Sequence, residues 1–133
     1  MTGPIRAVIY ASTDGPDTDF TAKLCDVYPD GRSWNLCDGI VRGRYRNGRA
    51  PSDLLEPGGI YEFEVDLWVT SNVFKAGHRI RLDISSSNFP RFNRNLKTDE
   101  PIPTATTIRI ATNTIYHDAN HPSHVLLPVI PLQ

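Results

Sequence analysis

The sequence lacks most of the features that place a protein in a class at once. Its two cysteines are too few for a disulfide scaffold, and no apolar run approaches the roughly 20 residues of a membrane span. Its 14 basic residues are balanced by 15 acidic ones, and no nucleic-acid-binding motif occurs. The N-terminus has no signal-peptide pattern, so we expect a cytoplasmic location. A chain of 133 residues is expected to form one domain, here residues 1–133.

A sustained helical period of 3.6 residues is also missing, and alternation takes its place. In YEFEVDLWVT (residues 61–70) apolar residues alternate with acids and with Trp68, and in RIRLDIS (79–85) they alternate with charged residues. This pattern is typical of antiparallel sheets with one face in water. If the two strands lie side by side, the acids of the first could pair with the arginines of the second.

A hairpin is predicted around PDGR (residues 29–32), a strong turn signal between two strand-like stretches. Counting outward from this turn places Cys25 opposite Leu36, and Cys37 opposite Leu24. Because side chains alternate along a strand, the two cysteines should point to opposite faces. We therefore expect both to be free thiols, since a disulfide needs adjacent Cβ atoms.

The remaining segments complete an all-β chain. Further strands are predicted in IRAVIYAS, TTIRIATNTIYH and HVLLPVI, and one helical turn at 52–55 within the long connection 46–59. Seven or eight strands joined by turns are typical of a β-sandwich or jelly roll.

No segment has the pattern of a catalytic or metal site. Ser33 in GRSWN lacks the last glycine of the G-x-S-x-G motif and lies at the hairpin turn, so it is interpreted as a turn serine. The cluster of His117, His121 and His124 could hold a metal ion, and the aspartates of DGPDTD (residues 14–19) could hold calcium. Polar loop residues and Asx-turns are the favoured interpretation of both. We predict no catalytic residue, no metal and no cofactor.

Three long motifs carry a resemblance to a known family: DTDFTAKLCDVYPDGRSWNLCDGIVRGRYR, YEFEVDLWVTSNVFKAGHRIRLDISSSNFPRFNRN and YHDANHPSHVLLPVIP. Together they resemble the C-terminal domain of the X-prolyl dipeptidyl-peptidase and cocaine esterase (CocE/NonD) family of serine hydrolases. The resemblance implies a jelly-roll domain similar to galactose-binding modules. It also implies that the nucleophile, acid and histidine lie in a preceding α/β-hydrolase domain, which is absent from this chain. The chain is accordingly interpreted as an excised domain or a truncated product.

The resemblance gives a meaning to SSSNFPRFNRNLKT (residues 85–98), an aromatic and basic stretch after a strand. Aromatic residues and arginine are enriched at interface cores. We therefore predict an interface with the hydrolase domain, with Phe89 and Phe92 as anchors and Arg91 and Arg94 as polar contacts. The alternative is a loop that folds back over its own sandwich and buries its phenylalanines.

Two functions from different classes remain open. One is a non-catalytic C-terminal domain whose partner is the hydrolase domain of a peptidase, esterase or acylase, and which is expected to self-associate when separated. The other is an autonomous carbohydrate-binding module, for which Trp34 and Trp68 are candidate sugar platforms.

Overall fold

The computed structural model describes residues 1–131, so the last two residues of the predicted domain lie outside the described part. These residues form seven β-strands and one short 3-10 helix at Gly43–Tyr45. The strands are β1 (Thr2–Thr13), β2 (Asp19–Val27), β3 (Ser33–Arg42), β4 (Tyr61–Ser71), β5 (Arg79–Ser85), β6 (Asn113–Tyr116) and β7 (His124–Leu126).

Two antiparallel sheets make up the sandwich. One has the order β4–β1–β6, with β7 also paired to β1, and the other has the order β3–β2–β5. The predicted all-β class and sandwich architecture are confirmed, whereas the finer jelly-roll topology stays a prediction. Within residues 1–131, no helix has the length and apolar character needed to cross a membrane.

The core lies between the central strands β1 and β2, whose inward side chains meet those of β4. Phe20 on β2 and Phe63 on β4 are almost fully buried, and their ring centroids are 4.8 Å apart. Burying a phenylalanine contributes roughly 1.5–3 kcal/mol, so this pair is a large part of the attraction between the sheets. The rest of the buried apolar cluster consists of Ile5, Ala7, Ile9, Ala11, Ala22, Leu24, Leu55, Val65 and Leu67.

The predicted hairpin is present as β2 and β3, and one of the two predicted cross-strand pairs is correct. Leu24 faces Cys37, but a bulge makes Leu36 an extra residue, and Cys25 faces Asn35 instead. Both cysteines are free, as predicted. The Cys25 thiol donates a hydrogen bond to Asp83 on the neighbouring β5, whereas Cys37 packs against the core from the other face.

The condition for pairing β4 acids with β5 arginines is not met, because the two strands lie in different sheets. Glu64 instead forms an ion pair with Arg6 on β1 at 3.3 Å. Arg81 pairs with Asp83 on its own strand at 2.9 Å. Alternation correctly identified β4 and β5 as strands, but it carries no information about which strands are neighbours.

Two further predictions about local structure are wrong. Residues 52–55 form no helical turn; Leu55 is instead drawn into the core, with its backbone N–H bonded to the Pro16 carbonyl at 2.8 Å. The strand predicted over 106–117 begins only at Asn113. Residues 105–112 have no regular secondary structure.

β3 and β4, the edge strands of the two sheets, lie against each other along one side of the sandwich. A Cβ atom added to Gly39 on β3 would lie 1.9 Å from the carbonyl oxygen of Asp66 on β4. Only glycine allows so close an approach of two backbones.

Candidate domain interface

The connection between β5 and β6, residues 86–112, contains the predicted interface and is here called the crossover segment. Its first part runs over the outer face of the β3–β2–β5 sheet. Asp38 on β3 accepts a hydrogen bond from Asn88 at 3.0 Å and forms an ion pair with Arg91 at 3.0 Å. The backbone carbonyl of Asn93 accepts a longer bond from Arg42 at 3.4 Å. The segment is therefore attached to its own domain by polar contacts.

The middle of the crossover segment is fixed by a buried polar group that we call the anchor cluster: Asp17, Asp19, Arg44 and Asn95. The Asn95 amide donates one hydrogen bond to Asp17 at 2.8 Å and another to Asp19 at 2.7 Å. The Arg44 Nε atom donates to Asp17 at 2.7 Å. The remaining guanidinium nitrogens of Arg44 donate to the carbonyls of Thr98 at 2.6 Å and Glu100 at 2.9 Å. Buried charges require such partners, and here they come largely from the crossover segment.

Burial is the largest influence on the pKa of Asp19 in this cluster. It raises the pKa of Asp19 to about 6, although the Asn95 hydrogen bond and Arg42, 3.3 Å away, act in the opposite direction. Burial also lowers the pKa of Lys97, which lies two residues beyond Asn95. The aspartates of DGPDTD are thus used to fix a distant loop, which the sequence interpretation as turn residues or calcium ligands did not foresee.

The four predicted interface residues divide between two surfaces. Phe89 is 57% exposed, and the Arg94 guanidinium lies 4.6 Å from its ring centroid. Phe92 is half-buried, and Arg91 lies 5.5 Å from its ring while also paired with Asp38. Phe89 is thus open to solvent and Phe92 is half-buried, and neither ring belongs to the buried core cluster. The interface role itself stays a prediction.

Phe89 and Arg94 line a groove of about 500 Å³ that we call the basic groove. Its other lining residues are Ser86, Ser87, Asn95, Leu96, Lys97, Ile108 and Arg109. Ile108 is 74% exposed, so the groove joins two exposed apolar side chains to three cations. Sequence reasoning missed Lys97 and Ile108, although the alternating isoleucines of TTIRIAT were a signal of an extended, two-faced segment.

Arg91 lines a second groove with Trp68, Leu36, Cys37, Asp38, Asn35 and Leu67. Trp68 is 74% exposed, has a backbone φ of 66°, and lies where the register of β4 against β1 shifts. Its backbone N–H donates to the Asp66 carboxylate at 2.8 Å. A bulge of this kind re-aims a side chain, and here it directs the indole outward, on the polar side predicted for this residue.

The other candidate residues lie apart from both grooves. Ser33 begins β3, and its hydroxyl accepts a hydrogen bond from Arg81 at 3.0 Å. His121 packs beside the rings of Tyr10 and Tyr116, with centroids 5.9 and 5.5 Å away. Among residues 1–131, no three His, Cys, Asp or Glu side chains come together in a way that could hold a metal ion.

Comparison with known proteins identifies the same family from several directions. A family model described as the X-Pro dipeptidyl-peptidase C-terminal non-catalytic domain matches residues 1–126. The chain is 48% identical over 132 residues to the cocaine esterase of Rhodococcus sp. strain MB1 Bresler. That match covers 98% of this chain but only 23% of the esterase.

Two solved structures share the fold of this chain, and in each the match covers only part of a larger protein. An aminopeptidase from a marine sediment Thaumarchaeota archaeon superposes with a TM-score of 0.89 at 34% identity, over 93% of this chain and 22% of the peptidase. An α-amino acid ester hydrolase superposes with a TM-score of 0.88 at 30% identity, over 92% of this chain and 22% of the hydrolase. The chain therefore spans less than a quarter of the length of these relatives.

Proposed function

The chain belongs to the family of X-Pro dipeptidyl-peptidase C-terminal non-catalytic domains, and on that premise we propose that it packs on the hydrolase domain of a larger serine hydrolase. In this proposal, residues 1–133 are one C-terminal domain, and the residues that perform catalysis belong to the rest of the parent protein. The parent acts on an ester, amide or peptide bond, in keeping with relatives named as esterase, ester hydrolase and aminopeptidase.

The observation that carries the packing proposal is the contrast between the fixed backbone of the crossover segment and its exposed apolar side chains. Asn95 and Arg44 hold the segment through buried hydrogen bonds, whereas Phe89 and Ile108 remain more than half exposed. A segment that only covered its own sandwich would turn such side chains inward. Apolar groups held outward on a fixed backbone are typical of interaction sites.

A domain exchange with the Rhodococcus cocaine esterase tests the proposal. The 132-residue segment of that esterase that matches this chain is replaced by this chain, and hydrolysis of p-nitrophenyl butyrate is measured. We expect a folded, active chimera, because at 48% identity the packing surfaces should be compatible. The control is the esterase with the same segment deleted, which should be insoluble or rapidly inactivated.

Two results would contradict the proposal. One is a chimera no more stable than the deleted esterase. The other is ester hydrolysis by this chain alone that disappears on Ser33→Ala, since it would make the domain an enzyme by itself.

The finer predictions about partners and location belong to this proposal. A domain separated from its hydrolase leaves Phe89 uncovered, so we expect weak self-association of the isolated chain. A cytoplasmic location also stays a prediction, which the free thiols of Cys25 and Cys37 favour. The carbohydrate-binding alternative receives no support from the relatives compared here.

A further inference from the structure

The basic groove contains two cations, Arg94 and Lys97, that form no direct ion pair with an acid among the described residues. Among residues 1–131, neither Arg94 nor Lys97 has a carboxylate oxygen within 4.0 Å of its charged nitrogens, whereas Arg109 at the same groove is paired with Asp14 at 3.2 Å. Arg109 also donates to the Asp14 backbone carbonyl at 2.8 Å. Arg109 is thus already paired, whereas Arg94 forms no ion pair and Lys97 is attracted to Asp19 and Asp14 only from beyond ion-pair distance.

Lys97 is held in place although it lacks an acid partner. It is half-buried, its Nζ atom donates to the Ser86 hydroxyl at 3.1 Å, and its backbone N–H donates to the Asn95 side-chain oxygen at 2.8 Å. The backbone φ of Lys97 is 65°, a left-handed conformation that is uncommon for a residue with a side chain. Asn95 therefore fixes the backbone of Lys97, and Ser86 holds its ammonium group.

Arg94 is positioned by the exposed ring of Phe89, on which its guanidinium stacks. Stacking orients the planar fork and leaves its edge free for a carboxylate. Phe89, Leu96 and Ile108 supply an apolar wall beside the two cations. The groove is therefore complementary to an anion with an apolar group next to it.

We propose that the basic groove is the docking site for an aspartate or glutamate, flanked by an apolar residue, on the hydrolase domain of the parent protein. The inference rests on the proposed function and specifies its interface: a carboxylate between Arg94 and Lys97, and an apolar side chain against Phe89 and Ile108. Truncating one partner of such a charge pair leaves the other charge unpaired, so the contact would strongly affect dissociation.

The test uses the chimeric esterase, with single substitutions Arg94→Glu and Lys97→Glu in the exchanged domain. The matched control is Lys75→Glu, which makes the same charge change at an exposed loop lysine outside the groove. We expect each groove variant to raise the rate of thermal inactivation roughly tenfold or more, and the control to leave it unchanged. Urea unfolding of the isolated chain with each substitution separates lost docking from a destabilised domain.

The possible outcomes distinguish the docking site in the basic groove from the proposed function itself. An active chimera whose groove variants behave like Lys75→Glu overturns this inference and leaves the proposed function intact. The inference is also overturned if a groove variant unfolds at lower urea as an isolated chain by enough to account for the faster inactivation of the chimera. If the chimera itself fails, both proposals fall. NMR titration of the isolated chain with hexanoate and with hexanamide then shows whether the groove is instead a site for free carboxylates.

Discussion

Asn95→Ala tests whether the anchor cluster holds the crossover segment. The substitution removes both hydrogens of one amide, which bind Asp17 and Asp19 at 2.8 and 2.7 Å. Hydrogen bonds to charged groups contribute about 1.5–3 kcal/mol each. We therefore expect a loss of about 3–6 kcal/mol, a large fraction of the roughly 5–15 kcal/mol by which domains are stable.

The measurement is urea unfolding followed by far-UV circular dichroism, with hydrogen exchange of the amides between Asn88 and Thr112. Circular dichroism reports on the strands of the sandwich, whereas exchange reports on the crossover segment itself. The control is Asn93→Ala, because the exposed side chain of Asn93 makes no hydrogen bond to another described residue. We expect the control to stay within about 0.5 kcal/mol of the parent sequence, as surface substitutions usually do.

Equal stability and equal exchange in the two variants would refute the reasoning, since the buried amide would then contribute no more than an exposed one. A loss confined to hydrogen exchange would have a different meaning. It would show that the segment opens locally while the two sheets remain folded.

Three further predictions concern charge, packing and exposure. Burial raises the pKa of Asp19 to about 6, so the folded protein binds a proton at this carboxyl more tightly than the unfolded chain does. Protonation of Asp19 therefore stabilises the fold; this contribution is complete below pH 4 and is lost as the pH rises through 6. The unfolding free energy relative to Asp19→Asn should therefore fall by up to about 3 kcal/mol between pH 4 and 7 in urea titrations, and a pH-independent difference would contradict it. Gly39→Ala should lower stability by at least about 2–3 kcal/mol in the same assay, because the added methyl group meets the Asp66 carbonyl; a neutral effect would mean that β3 and β4 separate easily. Phe89→Ser should weaken self-association in sedimentation velocity and leave the urea midpoint nearly unchanged, whereas a loss of several kcal/mol would make Phe89 part of the domain's own core.

The parts of the fold that the sequence predicted are those that neighbouring residues determine. The β2–β3 hairpin follows from the turn chemistry of PDGR, and strand identity follows from alternation. The bulge at Leu36 could not be predicted, because SWNLCDGIVR has no regular alternation of apolar and polar residues in which a shift of phase could be seen. Which strands become neighbours is a non-local property, and for that reason the sequence left open whether β4 and β5 are adjacent.

Only the position of the candidate site along the chain could be predicted, because its contacts are also non-local. The composition of residues 85–98 indicated an interface, but it could not show that Phe89 stays exposed while Phe92 is half-buried. The anchor cluster joins Asn95 to Asp17 across 78 positions of sequence, and no local pattern indicates such a contact. Asp17 and Asp19 therefore looked like residues of an ordinary acidic turn.

The close contact at Gly39 also affects how this protein avoids unwanted strand pairing. An exposed sheet edge can pair with another chain and begin aggregation. With β3 and β4 lying against each other, one lateral side of the sandwich is closed to an incoming strand. The edge of β5 is unpaired among the described residues, and it carries the exposed side chains of Arg79 and Arg81. Charged side chains on an edge strand disfavour the addition of another strand, so Arg79 and Arg81 should oppose strand pairing at the edge that Gly39 cannot close.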